Sequence, residues 1–248
     1  MELSSFFREN PGVAIAFSGG VDSAYLLYAA VKYADSVRAY YVKSQFQPQF
    51  ELDHAQRLCK ELHTELTVLP LDQLADPQIC ANDPLRCYYC KKQIFSTIQS
   101  AAAADGFTIL CDGTNADDSE DDRPGFRALR ELEIRSPLRE CGLSKVEIRN
   151  LSREAGLFTH SKAAYACLAT RIPTGEVLTM DKLRVTELAE SIAYDMGFRD
   201  FRIRCRNGIA TLQIRREQFP LYEETKEKLL AALRPLYREL WQEPEVRL

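Results

Sequence analysis

The chain has 248 residues, 46% hydrophobic and 27% charged, with a formal net charge of −4 and a pI near 5.6. That length suits one large domain or two modest ones, and the composition is ordinary for a soluble globular protein. The acidic balance argues against a broad nucleic-acid footprint, and no run approaches the ~20 apolar residues of a membrane span.

Residues 1–10 lack the basic start and apolar run of a secretion signal, so a cytoplasmic protein is expected. Val13 to Phe17 is a short β-branched apolar run ending in Ser18-Gly19-Gly20, which reads as a buried parallel strand. Val21 to Tyr33 lacks breakers and reads as a helix. Val37 to Val42 gives a second strand, and Leu52 to His63 a helix with Leu52, Ala55, Leu58, Cys59 and Leu62 on one face. Glu65 to Leu69 gives a third strand, Cys90 to Ala104 a helix, and Thr108 to Asp112 a fourth strand. Ser144 and Glu147 form a capping-box pattern before a helix over residues 145–155.

Strands alternating with helices predict an α/β fold, a parallel sheet with helices on both faces, whose ligands bind beyond the carboxyl ends of the strands. Gly156 to Gly175 has little periodicity and reads as a long functional connection. After it come an amphipathic helix over Met180 to Met196, two alternating strands around Asn207-Gly208, and a helical stretch from Gln218 to Leu240 that Pro235 should bend. Glu245 to Leu248 could add a short strand. The expected organisation is a domain over residues 1–155, a connecting segment over 156–175 and a small α+β domain over 176–248.

The eight cysteines, in a chain with no secretion signal, point to metal binding or catalysis more than to disulfides. Cys111 and Cys205 read as small hydrophobes in strands. Cys87-Tyr-Tyr-Cys90 has the spacing of two thiolates on one metal or of a redox pair, and Lys91 and Lys92 follow it. No second such pair completes a closed zinc site. Cys167 lies in the long connection near Lys162 and Arg171, where a lowered thiol pKa would suit a nucleophile. Simple burial is the alternative for a single cysteine.

Ser18-Gly19-Gly20-Val21-Asp22-Ser23 joins a strand to a helix. Two glycines let backbone amides approach an anion, the following helix offers unpaired N–H groups, and Ser18 and Ser23 add hydroxyls. Asp22 can hold Mg²⁺ or order the loop. The lysine of a Walker A loop is absent. Asp112-Gly113-Thr114-Asn115-Ala116-Asp117-Asp118 crowds carboxylates at the end of the fourth strand, either as a divalent-ion site or as a solvated acidic turn. Asp122-Arg123-Pro124-Gly125 follows. Arg127, Arg130, Arg135 and Arg139 then offer forks for phosphate, or pair with Glu131 and Glu133.

The hexapeptide resembles the PP-loop of the ATP pyrophosphatases, which implies ATP gripped by its pyrophosphate and an adenylated intermediate. Together with Gly-Thr-Asn-Ala-Asp-Asp, Asp-Arg-Pro-Gly and Cys167-Leu-Ala-Thr-Arg-Ile-Pro173, it is similar to the LarE family of ATP-dependent sacrificial sulfur transferases. The resemblance implies adenylation of a carboxylate on a pyridinium mononucleotide and its conversion to a thiocarboxylate, a step in assembling the nickel-pincer nucleotide. It implies that Ser18, Gly19, Gly20, Asp22, Ser23, Gly113, Asn115 and Arg123 serve the nucleotide and that Cys167 donates sulfur. It also implies that Arg202 and Arg204 meet the substrate phosphate and that Glu190 contacts a metal, although Gln213 stands where an acidic residue is expected. Cys87, Cys90 and Cys167 together resemble a subgroup that holds a [4Fe–4S] cluster through three cysteines. ATP, Mg²⁺ and such a cluster are the implied cofactors. A small nucleotide is the implied substrate and a homo-oligomer the implied assembly. A tRNA-thiolating PP-loop enzyme and a PP-loop amidotransferase or synthetase are the alternatives.

Overall fold

The computed structural model describes residues 2–118 and 124–247. In chain order these form α1 (Leu3–Glu9), β1 (Gly12–Ala16), α2 (Val21–Tyr33), β2 (Ser36–Lys43), α3 (Gln49–Glu61), β3 (Leu66–Pro70), α4 (Pro77–Cys80) and α5 (Arg86–Ala104). There follow β4 (Leu110–Cys111), α6 (Pro124–Glu131), α7 (Pro137–Glu140), α8 (Lys145–Glu154), α9 (Met180–Asp195), β5 (Arg202–Arg206), β6 (Ile209–Ile214), α10 (Phe219–Leu233) and β7 (Glu245–Val246). The chain divides into two units, Met1–Gln73 with Pro84–Lys162 and Leu74–Asp83 with Ala163–Leu248.

The first unit is built on a parallel sheet of order β3-β2-β1-β4. Successive side chains of a strand point to opposite faces, and the sheet uses both. Val13, Ile15, Ala39 and Tyr41 join Leu26 and Leu27 of α2, Leu52 and Leu58 of α3, and Ile148 of α8. Ala14, Tyr40 and Val42 join Phe95 and Ile98 of α5 and Phe126 and Leu129 of α6. Each fully buried Leu, Ile or Phe contributes ~1.5–3 kcal/mol, so burying both faces of β1 and β2 holds the loop after β1 on a stiff platform. The fold class expected from the alternating pattern is the one observed.

Ser144 caps α8 as its pattern predicts: its hydroxyl takes the Glu147 N–H while the Glu147 carboxylate takes the Ser144 N–H. This fixes Lys145 at the first helical position and puts Arg149 one turn further along the same face.

Two helix boundaries and one whole helix stand out against expectation. Helix α5 begins at Arg86, so Cys87 and Cys90 both lie on the helix and Cys90 does not open it. Pro84 stands just before that start, as proline does at a helix beginning. Helix α10 ends at Leu233, because Pro235 terminates the stretch it was expected to bend. Helix α1 was not anticipated; Leu3, Phe6 and Phe7 give it a buried face at i, i+3 and i+4.

The second unit pairs β5 with β6 as an antiparallel hairpin across Asn207-Gly208, with β7 parallel to β6. Its core gathers Ala189, Ala193, Phe198, Ile203, Leu212, Tyr222, Leu229 and Leu233. Asn82 ties the early segment into this unit, its amide donating to the Pro173 carbonyl at 2.8 Å and the Glu176 carbonyl at 3.0 Å.

Candidate functional site

In the first unit the loop Ser18–Ser23 is shaped from within. The Ser18 and Ser23 hydroxyls are 3.0 Å apart, and the Ser23 hydroxyl donates to the Gly20 carbonyl at 3.2 Å. Gly19 adopts φ +75°, which favours glycine. Gly20 caps α2 with no side chain covering the helix N–H groups, which leaves them for an anion. Gly113, at the end of β4, presses against this loop: a Cβ there would lie 2.8 Å from the Ser23 backbone nitrogen. Gly113→Ala is therefore expected to push the loop out of register, at a cost of about 1–3 kcal/mol. Calorimetric titration with a non-cleavable ATP analogue should show weakened binding; unchanged affinity would dissociate Gly113 from the loop.

Asp22, in the first turn of α2, pairs through Oδ2 with the Lys145 ammonium of α8. Its Oδ1 is buried with no hydrogen-bond partner. An orphaned carboxylate oxygen beside an anion loop suits a Mg²⁺ ion brought in by phosphates, since Mg²⁺ takes one or two carboxylates and completes its shell with substrate and water.

The acidic turn after β4 is largely engaged with itself. Asp112 accepts from the Thr114 hydroxyl at 2.5 Å and the Ser136 hydroxyl at 2.7 Å. Asn115 Oδ1 takes the Asp117 N–H, Asp118 takes the Asn115 N–H, and Asp117 takes the Lys145 N–H at 2.7 Å. These carboxylates order the turn against the start of α8, and the described residues hold no group of three or more His, Cys, Asp or Glu that could bind a metal. Arg127 pairs with Glu131 and Arg135 with Glu140, the helix-surface alternative to phosphate binding. Arg123 lies outside the described residues.

Cys87 and Cys90 stand on the first turns of α5, in the first unit. Cys90 Sγ receives the Gln73 amide at 2.9 Å, and Gln73, fully buried, also takes the Ser44 hydroxyl. Arg86 lies 3.5 Å from Cys87 Sγ.

Cys167 belongs to the second unit, where it opens a 3-10 turn, Leu168–Arg171. The long connection is anchored here. Leu168 and Ala169 are buried, and Arg171 is 1% exposed. The Arg171 guanidinium grips Glu190 through Nε at 2.8 Å and Nη2 at 3.0 Å and donates through Nη1 to the Ala166 carbonyl at 2.8 Å. It also feels the Cys167 thiol electrostatically, although its hydrogen bonds go to Glu190 and the backbone. Lys162, the other cation expected beside the thiol, instead belongs to the first unit and is committed to Gly19 and Glu51.

Glu190 takes four donors: two from Arg171, the Tyr165 hydroxyl at 2.6 Å and the Ile203 N–H at 2.9 Å. A carboxylate so filled organises the Cys167 turn; it has no acceptor position left for a metal. On β5, Arg204 donates to Gln213 at 2.9 Å and to the Thr170 carbonyl at 3.1 Å. Arg202 has no carboxylate partner among the described residues. Burial lowers its pKa, and the neighbouring charges of Arg247, Arg171 and Arg204 lower it further. The Glu190 carboxylate opposes that lowering.

The asparagine synthase family matches residues 7–117. The chain is 36% identical over 220 residues to the uncharacterized protein slr1717 of Synechocystis, covering 87% of this chain and 81% of that one. It is 35% identical over 214 residues to the pyridinium-3,5-bisthiocarboxylic acid mononucleotide synthase of Lactiplantibacillus plantarum, covering 86% and 78%. The chain belongs to the LarE family. The chain is also 27% identical over 219 residues to the uncharacterized protein MJ0830 of Methanocaldococcus jannaschii, covering 88% of this chain and 84% of that one.

Within this LarE-family chain, sequence reading missed Lys145, Glu51 and Gln73 and misplaced Lys162. No local motif marks them; each reaches the site across many residues of chain. The signals that existed were a lysine at the start of a well-capped helix and a loop that lacked a lysine of its own.

Proposed function

We propose that the chain is an ATP-dependent sulfur transferase that adenylates a carboxylate of a pyridinium mononucleotide and converts it to a thiocarboxylate. The observation that carries this reading is the 35% identity to the L. plantarum synthase over 86% of the chain. The loop amides and the α2 N-terminus bind the pyrophosphate end of ATP, and Asp22 Oδ1 takes Mg²⁺. That ion, when bound, neutralises phosphate charge. The substrate carboxylate attacks the α-phosphate, pyrophosphate leaves, and an acyl-adenylate remains. Arg202 and Arg204 hold the substrate's phosphate, a role that suits an Arg202 guanidinium set close to the charges of Arg247, Arg171 and Arg204.

The Cys167 thiolate then attacks the acyl carbon and AMP leaves, giving a thioester. Loss of the Cys167 Cα proton expels the thiocarboxylate and leaves dehydroalanine. The attacking oxygen and sulfur supply lone pairs, and the elimination uses the Cα–H pair as a base takes the proton, so no external reductant is required. The donors Cys87, Cys90 and Cys167 suit an iron–sulfur cluster in number. Because the described residues gather no group of three such ligands, no step here runs through one.

The test is anaerobic purification with iron and acid-labile sulfide analysis, followed by intact mass after turnover. A loss equal to one H₂S per chain supports the sacrificial route. Iron and sulfide with no mass loss would overturn it in favour of cluster-borne sulfur, and turnover with neither would remove sulfur transfer from the chain.

A further inference from the structure

The anion loop has no lysine, yet two reach it from the far end of the first unit. Lys145 pairs with Asp22. Lys162 Nζ donates to the Gly19 carbonyl at 2.9 Å and to Glu51 Oε2 at 2.7 Å, and the Lys162 and Glu51 side chains are 13% and 9% exposed. Helix α8 governs both. Lys145 is its first residue, and Arg149, one turn on, clamps the backbone that presents Lys162 by donating to the carbonyls of His160 at 2.6 Å and Lys162 at 2.9 Å.

Glu51 is an odd neighbour for a polyphosphate. A Cβ built on Gly19 would meet the Glu51 carbonyl oxygen at 3.2 Å and its carboxylate at 3.5 Å, so this acid lies against the loop. Its other oxygen, Oε1, is buried without a partner. Burial raises its pKa, and Lys162 opposes that rise. A bare carboxylate here would repel the triphosphate at low local dielectric.

Resting on the ATP-site reading above, we propose that Lys162 is a positioning residue for the pyrophosphate. It cancels the Glu51 charge at the loop and holds the Gly19 carbonyl, so that the trans peptide unit turns the Gly20 N–H to the opposite side. There the Gly20 N–H meets the Ser18 hydroxyl at 3.4 Å, a long bond that a phosphate oxygen can replace. Lys162 therefore acts through Gly19 and Glu51, and Glu51 is the reason the lysine is needed.

The test is calorimetric titration of the full chain, with Mg²⁺, using α,β-methylene-ATP and separately AMP. Lys162→Ala should weaken the methylene analogue by ~10-fold or more, the scale of a hydrogen bond to a charged group. AMP, which lacks the β and γ phosphates, should bind as before. Adding Glu51→Gln to Lys162→Ala should restore most of the lost affinity, a rescue that a merely structural lysine would not give. Should Lys162→Ala fold poorly, Lys162→Met, which keeps the apolar stem, serves for the same comparison.

Analogue binding by Lys162→Ala as tight as by the parent chain would overturn the proposal. So would a double variant as weak as the single one, which would make the lysine a direct phosphate ligand. A parent chain that binds no analogue would remove the ATP-site reading itself, and the inference with it.

Discussion

Replacing Cys167 by alanine should abolish thiocarboxylate formation while ATP-dependent adenylation continues. The two halves of the reaction use different parts of the chain. In the proposed reaction adenylation uses the loop Ser18–Ser23, Asp22 and the start of α2, all in the first unit. The sulfur atom of the proposed second half belongs to Cys167, in the second unit. Its removal leaves the Thr170 N–H to Cys167 carbonyl bond intact, because that bond uses backbone, and Leu168 and Ala169 stay buried. The turn should thus survive the substitution. Quenched-flow assays should find pyrophosphate released in a single burst of acyl-adenylate, with no thiocarboxylate by mass spectrometry. Thiocarboxylate produced at the parent rate would take Cys167 out of the chemistry altogether.

Glu190→Ala is expected to destabilise the second unit by about 3–5 kcal/mol, the cost of stranding one member of a buried ion pair. Arg171 and Glu190 side chains are 1% and 5% exposed, so water cannot replace the lost partner. The Ile203 N–H and the Tyr165 hydroxyl would lose an acceptor as well. Against a typical total of ~5–15 kcal/mol, this is a large fraction. Urea denaturation should show a lower midpoint with the slope kept. Replacing both partners with apolar residues of similar volume, Arg171→Met with Glu190→Leu, should recover much of the loss. If Glu190→Ala unfolds like the parent chain, the pair does not anchor the cysteine turn.

Much of the first unit was legible from period alone. Val13–Phe17 and Val37–Val42 announced buried parallel strands because both faces of that sheet are covered, which makes the runs continuously apolar. The hexapeptide was legible because its chemistry is local: two glycines, two hydroxyls and a helix start lie within six residues. The capping box of α8 was legible for the same reason.

What lay hidden depends on distance along the chain. Glu51 and Lys162 are 111 positions apart, and Lys145 and Asp22 are 123 apart. No spacing rule links such residues, and either lysine read alone is a solvated cation. Arg171 misled in the opposite sense: as a neighbour of Cys167 it suggested a partner for a thiolate, whereas its guanidinium is largely spent on Glu190 and on carbonyls. Helix α5 starts at Arg86, four residues before the expected Cys90, and that shift put both Cys87 and Cys90 on one helix.

Helix α8 supplies the loop's positive charge through Lys145 and steadies its second source through Arg149. The binding site is thus divided between a motif that gives shape and a remote helix that gives charge. Transplanting Ser18–Ser23 onto another strand-to-helix turn would carry over the cradle but not its cations. Such a graft leaves Glu51 behind and with it the need for Lys162, but its Asp22 should stay uncompensated until a helix bearing the counterpart of Lys145 is brought beside it.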